Sequence, residues 1–290
     1  MPFRTSPFPR PGKRAAACGA LAAAAATLLT SAASAAPAAG RAAAGPADFP
    51  ASVGAHGKAR VSAAVLDLDR PGHAPAVFGE GTPYDTASIV KVDILAALLL
   101  KAQDSGRALT TEERAQTKKM IEHSDNAAAN ALWRRIGLAP GLKAANKRLG
   151  LTETEGGPGG KWGLTRTTSA DQIRLLRAVF DTGQATKKSS RPALDAAPRA
   201  YIRSLMSHVA DDQSWGVSAA GRSGWALKNG WLQRDTTDLW DVNSVGRITA
   251  GGHHYLVAVL SDGNKTMKDG VSLVERAART AVSTTTARAS

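Results

Sequence analysis

The stretch Tyr84-Asp85-Thr86-Ala87-Ser88-Ile89-Val90-Lys91 runs directly into Val92-Asp93-Ile94-Leu95-Ala96-Ala97-Leu98-Leu99-Leu100. A polar entry segment opens a helix that is apolar on most sides, so the helix is expected to be buried. Asp85 or Thr86 can cap it, because a short side-chain oxygen accepts from an orphan N–H of the first turn. Ser88 and Lys91 stand three apart and share one helix face, within reach of each other. A bland reading leaves this turn protruding into solvent. A sharper one is catalytic: a desolvated lysine loses proton affinity and acts as base towards a neighbouring hydroxyl. The positive end of the helix dipole favours negative charge developing there. Taken alone, Ser-x-x-Lys is a weak signal.

Upstream of this helix, residues 61–68 and 76–78 are strand-like and flank the turn Arg70-Pro71-Gly72-His73, which predicts a hairpin. Downstream, helices are expected from Thr110 or Thr111 to Ile121, and over 127–136, 140–149 and 198–209. Another runs from a Ser169/Gln172 capping box to near Gly183. Residues 152–164 hold five glycines, and such an irregular loop is more often functional than filler; Trp162 within it, like Trp215, Trp231 and Trp240, is expected in the core rather than as a ligand platform. Three strands follow, over 223–232, 240–249 and 254–261, and an amphipathic helix closes the chain at 267–282. The fold class is therefore α/β (α+β), with an antiparallel five-stranded sheet built from both ends of the chain and flanked by helices. An all-α region is inserted between its halves. One folded domain is expected at 53–290, its α/β part 53–90 and 210–290 and its all-α part 91–209.

The segment before it reads differently. Arg4, Arg10, Lys13 and Arg14 precede an Ala-rich run to about Leu29, then small residues to Pro37. This predicts a secretory signal peptide over 1–35 and a secreted, extracellular protein. The run is too Ala-weighted for a permanent span, so no membrane association is expected after cleavage. Residues 36–52 read as a flexible linker. Cleavage removes the only cysteine, Cys18, and lowers the formal charge from +13 to +9, since residues 1–35 carry those four basic side chains and no acid. The core must then stabilise the fold without disulfides. A +9 surface suits acidic cell-wall polymers. No basic run is interleaved with aromatics, which argues against nucleic acid.

Two further motifs fall at the junction of sheet and inserted helices: Ser124-Asp125-Asn126 on a loop, and Lys228-Asn229-Gly230 on a strand. Alone, the first reads as a helix cap and the second as a strand end. In this order with Ser88-x-x-Lys91, the set resembles the class A β-lactamase and penicillin-binding serine hydrolase family, whose signature is Ser-x-x-Lys, Ser-Asp-Asn and Lys-Thr-Gly. The resemblance spans roughly residues 50–282. It implies an α/β domain plus an all-α domain with the site between them. It implies Ser88 as nucleophile towards a β-lactam or acyl-D-alanine carbonyl, Lys91 as its base or proton relay, and Ser124 as proton donor to the leaving nitrogen. Asn126 would hold the substrate amide. Lys228 would attract the substrate carboxylate, and the backbone N–H groups of Ser88 and Trp231 would form the oxyanion hole. Asn229, Gly230, Trp231 and Arg247 are candidate substrate-binding residues, Trp231 also lining the pocket beside the oxyanion hole and Arg247 acting through its two-pronged donor geometry.

The chain also departs from that pattern. Asn229 stands where the family has Thr or Ser. Ser88 and Ser124 are closer in sequence than in the family, which implies a trimmed helical region. The Glu-x-x-Leu-Asn segment, whose glutamate activates the deacylating water, is absent from 150–168, and Glu153 or Glu155 could replace it only if the loop folds back. No cofactor or metal is expected: adjacent His253 and His254 point to opposite strand faces and lack a third ligand. The leading expectation is a secreted serine hydrolase that opens β-lactams through a Ser88 acyl-enzyme. Its rivals are a DD-peptidase-like or esterase-like penicillin-binding enzyme with slow deacylation, and a non-enzymatic cell-wall or β-lactam-binding module.

Overall fold

The computed structural model describes residues 49–70, 72, 74–181, 193–221 and 223–287. The expected signal peptide, and the linker up to residue 48, lie outside them. The linker's last residues are not loose: α1 (Phe49–Ser52) is a short helical turn. Phe49 is buried there against Phe78, ring centroids 5.2 Å apart, because an aromatic side chain gains more from that contact than from solvent.

The sheet is antiparallel, with spatial order β2-β1-β7-β6-β5. Its strands are β1 (Arg60–Asp67), β2 (Ala76–Gly79), β5 (Ser223–Gln233), β6 (Trp240–Ala250) and β7 (His253–Asn264). The expected hairpin forms, with Ala63 opposite Phe78. Both ends of the chain meet where β1 pairs with β7, Ala63 opposite Val259. β1 and β7 are central strands, and their near-continuous apolar runs match burial on both faces.

One face of the sheet packs on α8 (Met267–Ala287), whose Leu273, Val274, Ala277, Ala278 and Ala281 share a core with Val61, Val65, Val257 and Val259. The other face carries the larger core, organised by α2 (Val90–Asp104). Ile94, Leu95, Leu98 and Leu100 of α2 are buried to 2% or less, as an all-round apolar helix requires. Around α2 stand α3 (Thr111–Glu122), α4 (Asn126–Ile136), α5 (Leu138–Leu149), α6 (Ser169–Phe180) and α7 (Ala196–Met206). Thr110 and Glu113 close a reciprocal capping box on α3. At α6 the cap is one residue earlier than expected: Thr168, not Ser169, accepts from Asp171 N. The Ser169 hydroxyl is taken instead by Ser62, 2.8 Å away across the sheet contact.

A two-stranded ribbon, β3 (Tyr84–Asp85) with β4 (Arg166–Thr167), ties the entry of α2 to the glycine-rich loop. Among the described residues no helix is long and apolar enough to cross a membrane.

Candidate active site

Ser88 sits not on the first turn of α2 but on a 3-10 turn, Ala87–Ile89, that feeds it. Neither expected cap forms. Thr86 already has helical dihedrals and makes no side-chain cap, while Asp85 belongs to β3 and pairs with Arg166 and Arg234. The turn is held from outside instead: Thr86 N donates to Thr165 O at 2.8 Å. Ala87 adopts φ +46, a left-handed conformation that costs a non-glycine residue about 1–2 kcal/mol.

Strand β5 lies hard against this turn. A Cβ on Gly230 would stand 2.6 Å from Ser88 N, 2.8 Å from Ile89 N and 2.8 Å from Thr86 O. Only glycine lets the strand come this close. Lys228 and Gly230 point to the Ser88 side of β5, so Asn229 and Trp231 point to the other.

Two buried lysines converge on one hydroxyl. Lys91 Nζ donates to Ser124 Oγ at 3.1 Å, to Ser124 O at 2.6 Å and to Asn126 Oδ1 at 2.8 Å. Lys228 Nζ donates to the same Ser124 Oγ at 3.0 Å and to Asn229 O at 2.8 Å. Ser124 reaches this position in a left-handed conformation, φ +54. Burial pushes Lys91 down to about 7, against the opposing charge of Asp125. Burial and the neighbouring Lys91 push Lys228 well below the usual lysine range. The Lys91 ammonium bonds to Ser124 and Asn126 rather than to Ser88, whose hydroxyl makes no hydrogen bond among the described residues. Asp125 has a structural part: it caps α4, accepting from Ala128 N at 2.6 Å.

The structure thus brings Ser88, Lys91, Ser124, Asn126, Lys228 and Gly230 together. It corrects two other expectations. Asn229 is not placed to bind substrate: it is 1% exposed and donates to Gln213 O and Trp215 O, both at 2.9 Å. The Trp231 ring does not line the pocket either. It packs on Trp215 (5.9 Å) against the α8-side core, leaving only its backbone near Ser88. Arg247 lies on the Lys228 face of the sheet, opposite Ala226, and donates to Gly224 O at 2.9 Å.

The glycine-rich loop folds back over the site, but it presents no carboxylate there. Glu153 accepts from Thr168 Oγ1 at 3.2 Å and lies 3.9 Å from Arg174. Glu155 pairs by its backbone with Arg166 and is exposed. What faces Lys91 is Trp162, its ring centroid 4.8 Å from Nζ and its Nε1 donating to Asn130 Oδ1 at 2.8 Å. Trp162 packs against the larger core, as expected, and in addition meets Lys91. Its one available signal was an aromatic residue inside a polar, glycine-rich loop. The two set-aside histidines bond to different carboxylates, His253 to Asp67 at 3.0 Å and His254 to Asp69 at 3.1 Å.

The fold is shared with solved structures at low sequence identity. A class A β-lactamase from Bacteroides cellulosilyticus is 16% identical, with TM-score 0.67, covering 83% of this chain and 96% of its own. The protein PBP-A is 19% identical, with TM-score 0.65 and coverage of 83% and 95%. A PBP-A mutant solved as an acyl-enzyme complex with penicillin G is 20% identical, with TM-score 0.63 and the same coverage. No curated protein matches the sequence. A family model described as "Beta-lactamase enzyme family" matches residues 106–285, a span that holds Ser124 and Lys228 and begins after Ser88 and Lys91. With more than half of its length matched, the chain belongs to the beta-lactamase enzyme family.

Proposed function

We propose that this protein is a serine hydrolase that opens β-lactam rings by acylation of Ser88 and releases the acyl group slowly. The observation that carries this reading is Ser124 Oγ held between Lys91 Nζ (3.1 Å) and Lys228 Nζ (3.0 Å), beside a serine on a tightly supported turn. Ser88 Oγ attacks the carbonyl while its proton passes to neutral Lys91. The tetrahedral oxyanion is held by the N–H groups of Ser88 and Trp231; losing one such donor typically costs about 2.7–4 kcal/mol of barrier. The C–N bond then breaks, and the nitrogen takes a proton through Ser124. Asn126 orients the substrate amide. A substrate carboxylate near Lys228 restores that lysine's proton affinity, because an opposite charge favours the ammonium.

Hydrolysis of the ester needs an activated water. The loop offers an indole over Lys91 where a general base is needed, and Glu153 is occupied elsewhere. A general base is worth about 10²–10⁴-fold, so acylation outpaces release and the behaviour is that of a penicillin-binding protein. Residues 1–35 would direct the chain out of the cell, and its +9 charge would hold it near acidic wall polymers. The site would lie between an α/β part (53–90 and 210–290) and a helical part (91–209).

Intact-protein mass spectrometry with benzylpenicillin tests this. An adduct that forms on Ser88, persists for an hour or more and is absent from Ser88→Ala supports the reading. Rapid decay with accumulating hydrolysed drug would show an efficient β-lactamase. No adduct would exclude β-lactam acylation.

A further inference from the structure

We infer that Asn243 is the positioning residue for Ser88. The inference rests on the reading of Ser88 as nucleophile. Asn243 lies on β6, directly opposite Gly230, and is completely buried. A polar side chain there is costly unless its hydrogen bonds are made. Each of its two amide hydrogens meets a carbonyl of the segment entering the Ser88 turn. Nδ2 donates to Asp85 O at 2.9 Å and to Thr86 O at 3.1 Å. Its oxygen accepts from Ser261 N on β7 at 3.1 Å, which fixes which way the amide faces.

The two carbonyls lie immediately before Ala87, the left-handed residue that sets the direction of Ser88. An isolated alanine relaxes out of that conformation. Ala87 has no side chain able to hold it, so the restraint must come from neighbours. Thr86 N is tied to Thr165 and Thr86 O also accepts from Ile89 N at 3.3 Å. Asn243 supplies the remaining tie, and it alone connects the turn to the sheet by side-chain hydrogen bonds to the Asp85 and Thr86 carbonyls among the described residues. Gly230 and Asn243 then act as a pair across adjacent strands. Gly230 leaves the room for Ser88 N, and Asn243 holds the preceding carbonyls in register with that gap. Asn243 touches no reacting atom, and its effect passes through the backbone of the turn.

The test separates this part from a merely stabilising one. Acylation by benzylpenicillin is followed by mass spectrometry over a range of drug concentrations, giving the limiting acylation rate and the half-saturating concentration. Asn243→Leu keeps the volume and removes both donors. Its limiting rate is expected to fall by about 10²-fold, the effect of a displacement of about 1 Å at a reacting group. Asn243→Asp keeps the shape and supplies at most one donor, so its rate is expected between wild type and Asn243→Leu. In both, the half-saturating concentration is expected to stay within about threefold of wild type, since Lys228 and Asn126 are untouched. If Asn243→Leu does not fold, Asn243→Asp alone decides. A folded variant acylated at the wild-type limiting rate overturns the inference, as does a loss confined to half-saturation. Failure of the wild-type protein itself to acylate overturns instead the reading of Ser88 on which the inference rests.

Discussion

The Trp162 ring lies 4.8 Å from Lys91 Nζ, on a loop that crosses back over the head of α2. An aromatic face can attract an ammonium, but here the dominant effect is loss of water, which pushes Lys91 down to about 7. The sign matters for function. Below that value Lys91 is an ammonium and cannot accept the Ser88 proton. Above it the neutral amine can.

The acylation rate is therefore expected to rise with pH and reach half its plateau near pH 7. Rapid-quench mass spectrometry from pH 5.5 to 9 measures it. Lys91→Met is expected to remove the rise and lower the rate by about 10²–10⁴-fold. A wild-type profile that falls with pH would contradict Lys91 as the base.

Removing the indole restores water. Trp162→Ala is expected to raise the Lys91 pKa towards its ordinary value, moving the half-rise of the acylation profile to higher pH. The same profile, measured on the variant, decides this. An unchanged midpoint would mean that the helices around Lys91, not the loop, keep it dry.

Gly230→Ala addresses the close approach. Its Cβ would stand 2.6 Å from Ser88 N, so turn and strand must separate. Overpacking of this kind costs about 1–3 kcal/mol of stability. The shift at Ser88 is expected to lower acylation by about 10²-fold. Denaturant melts and adduct kinetics on the same sample report the two effects, and wild-type kinetics would refute the contact.

Asp93 offers a test of stability rather than chemistry. It lies on α2, fully buried, and burial together with the Asp171 charge raises its pKa to about 8. In the unfolded chain it titrates near 3.9. Folding thus favours the protonated acid, and stability is lost as pH rises from about 4 to about 8. Asp93→Asn removes that loss. It is expected to gain stability on the order of 4 kcal/mol at pH 7 and little at pH 4. Urea melts at both values check it. An equal effect at the two would show that Asp93 does not titrate in this range.

Local periodicity made much of this protein legible in its sequence. The apolar run of α2 announced a buried central helix, and three strand-like segments separated by Gly and Asp turns after 223 announced the rest of the sheet. Ser88 and Lys91 stood out by their spacing at a helix entry, whereas Ser124 and Lys228 were singled out by the resemblance of the three motifs, in that order, to the family signature. Each of those signals lies within a few residues. What the sequence did not show depends on contacts between distant segments. Thr165 and Asn243 anchor the Ser88 turn from 77 and 155 residues away, respectively, as the numbering shows. Asn229 was misread because strand register, not residue type, decides which face an amide serves. Trp162 does pack against the larger core, as expected of an aromatic residue, but no local pattern says that its glycine-rich loop also turns it onto Lys91. Composition and period therefore determined the elements, through local sterics and solvation, and the order of three short motifs pointed to the reactive side chains. Only tertiary packing decided which water is excluded, which lysine loses its proton, and how closely β5 approaches Ser88.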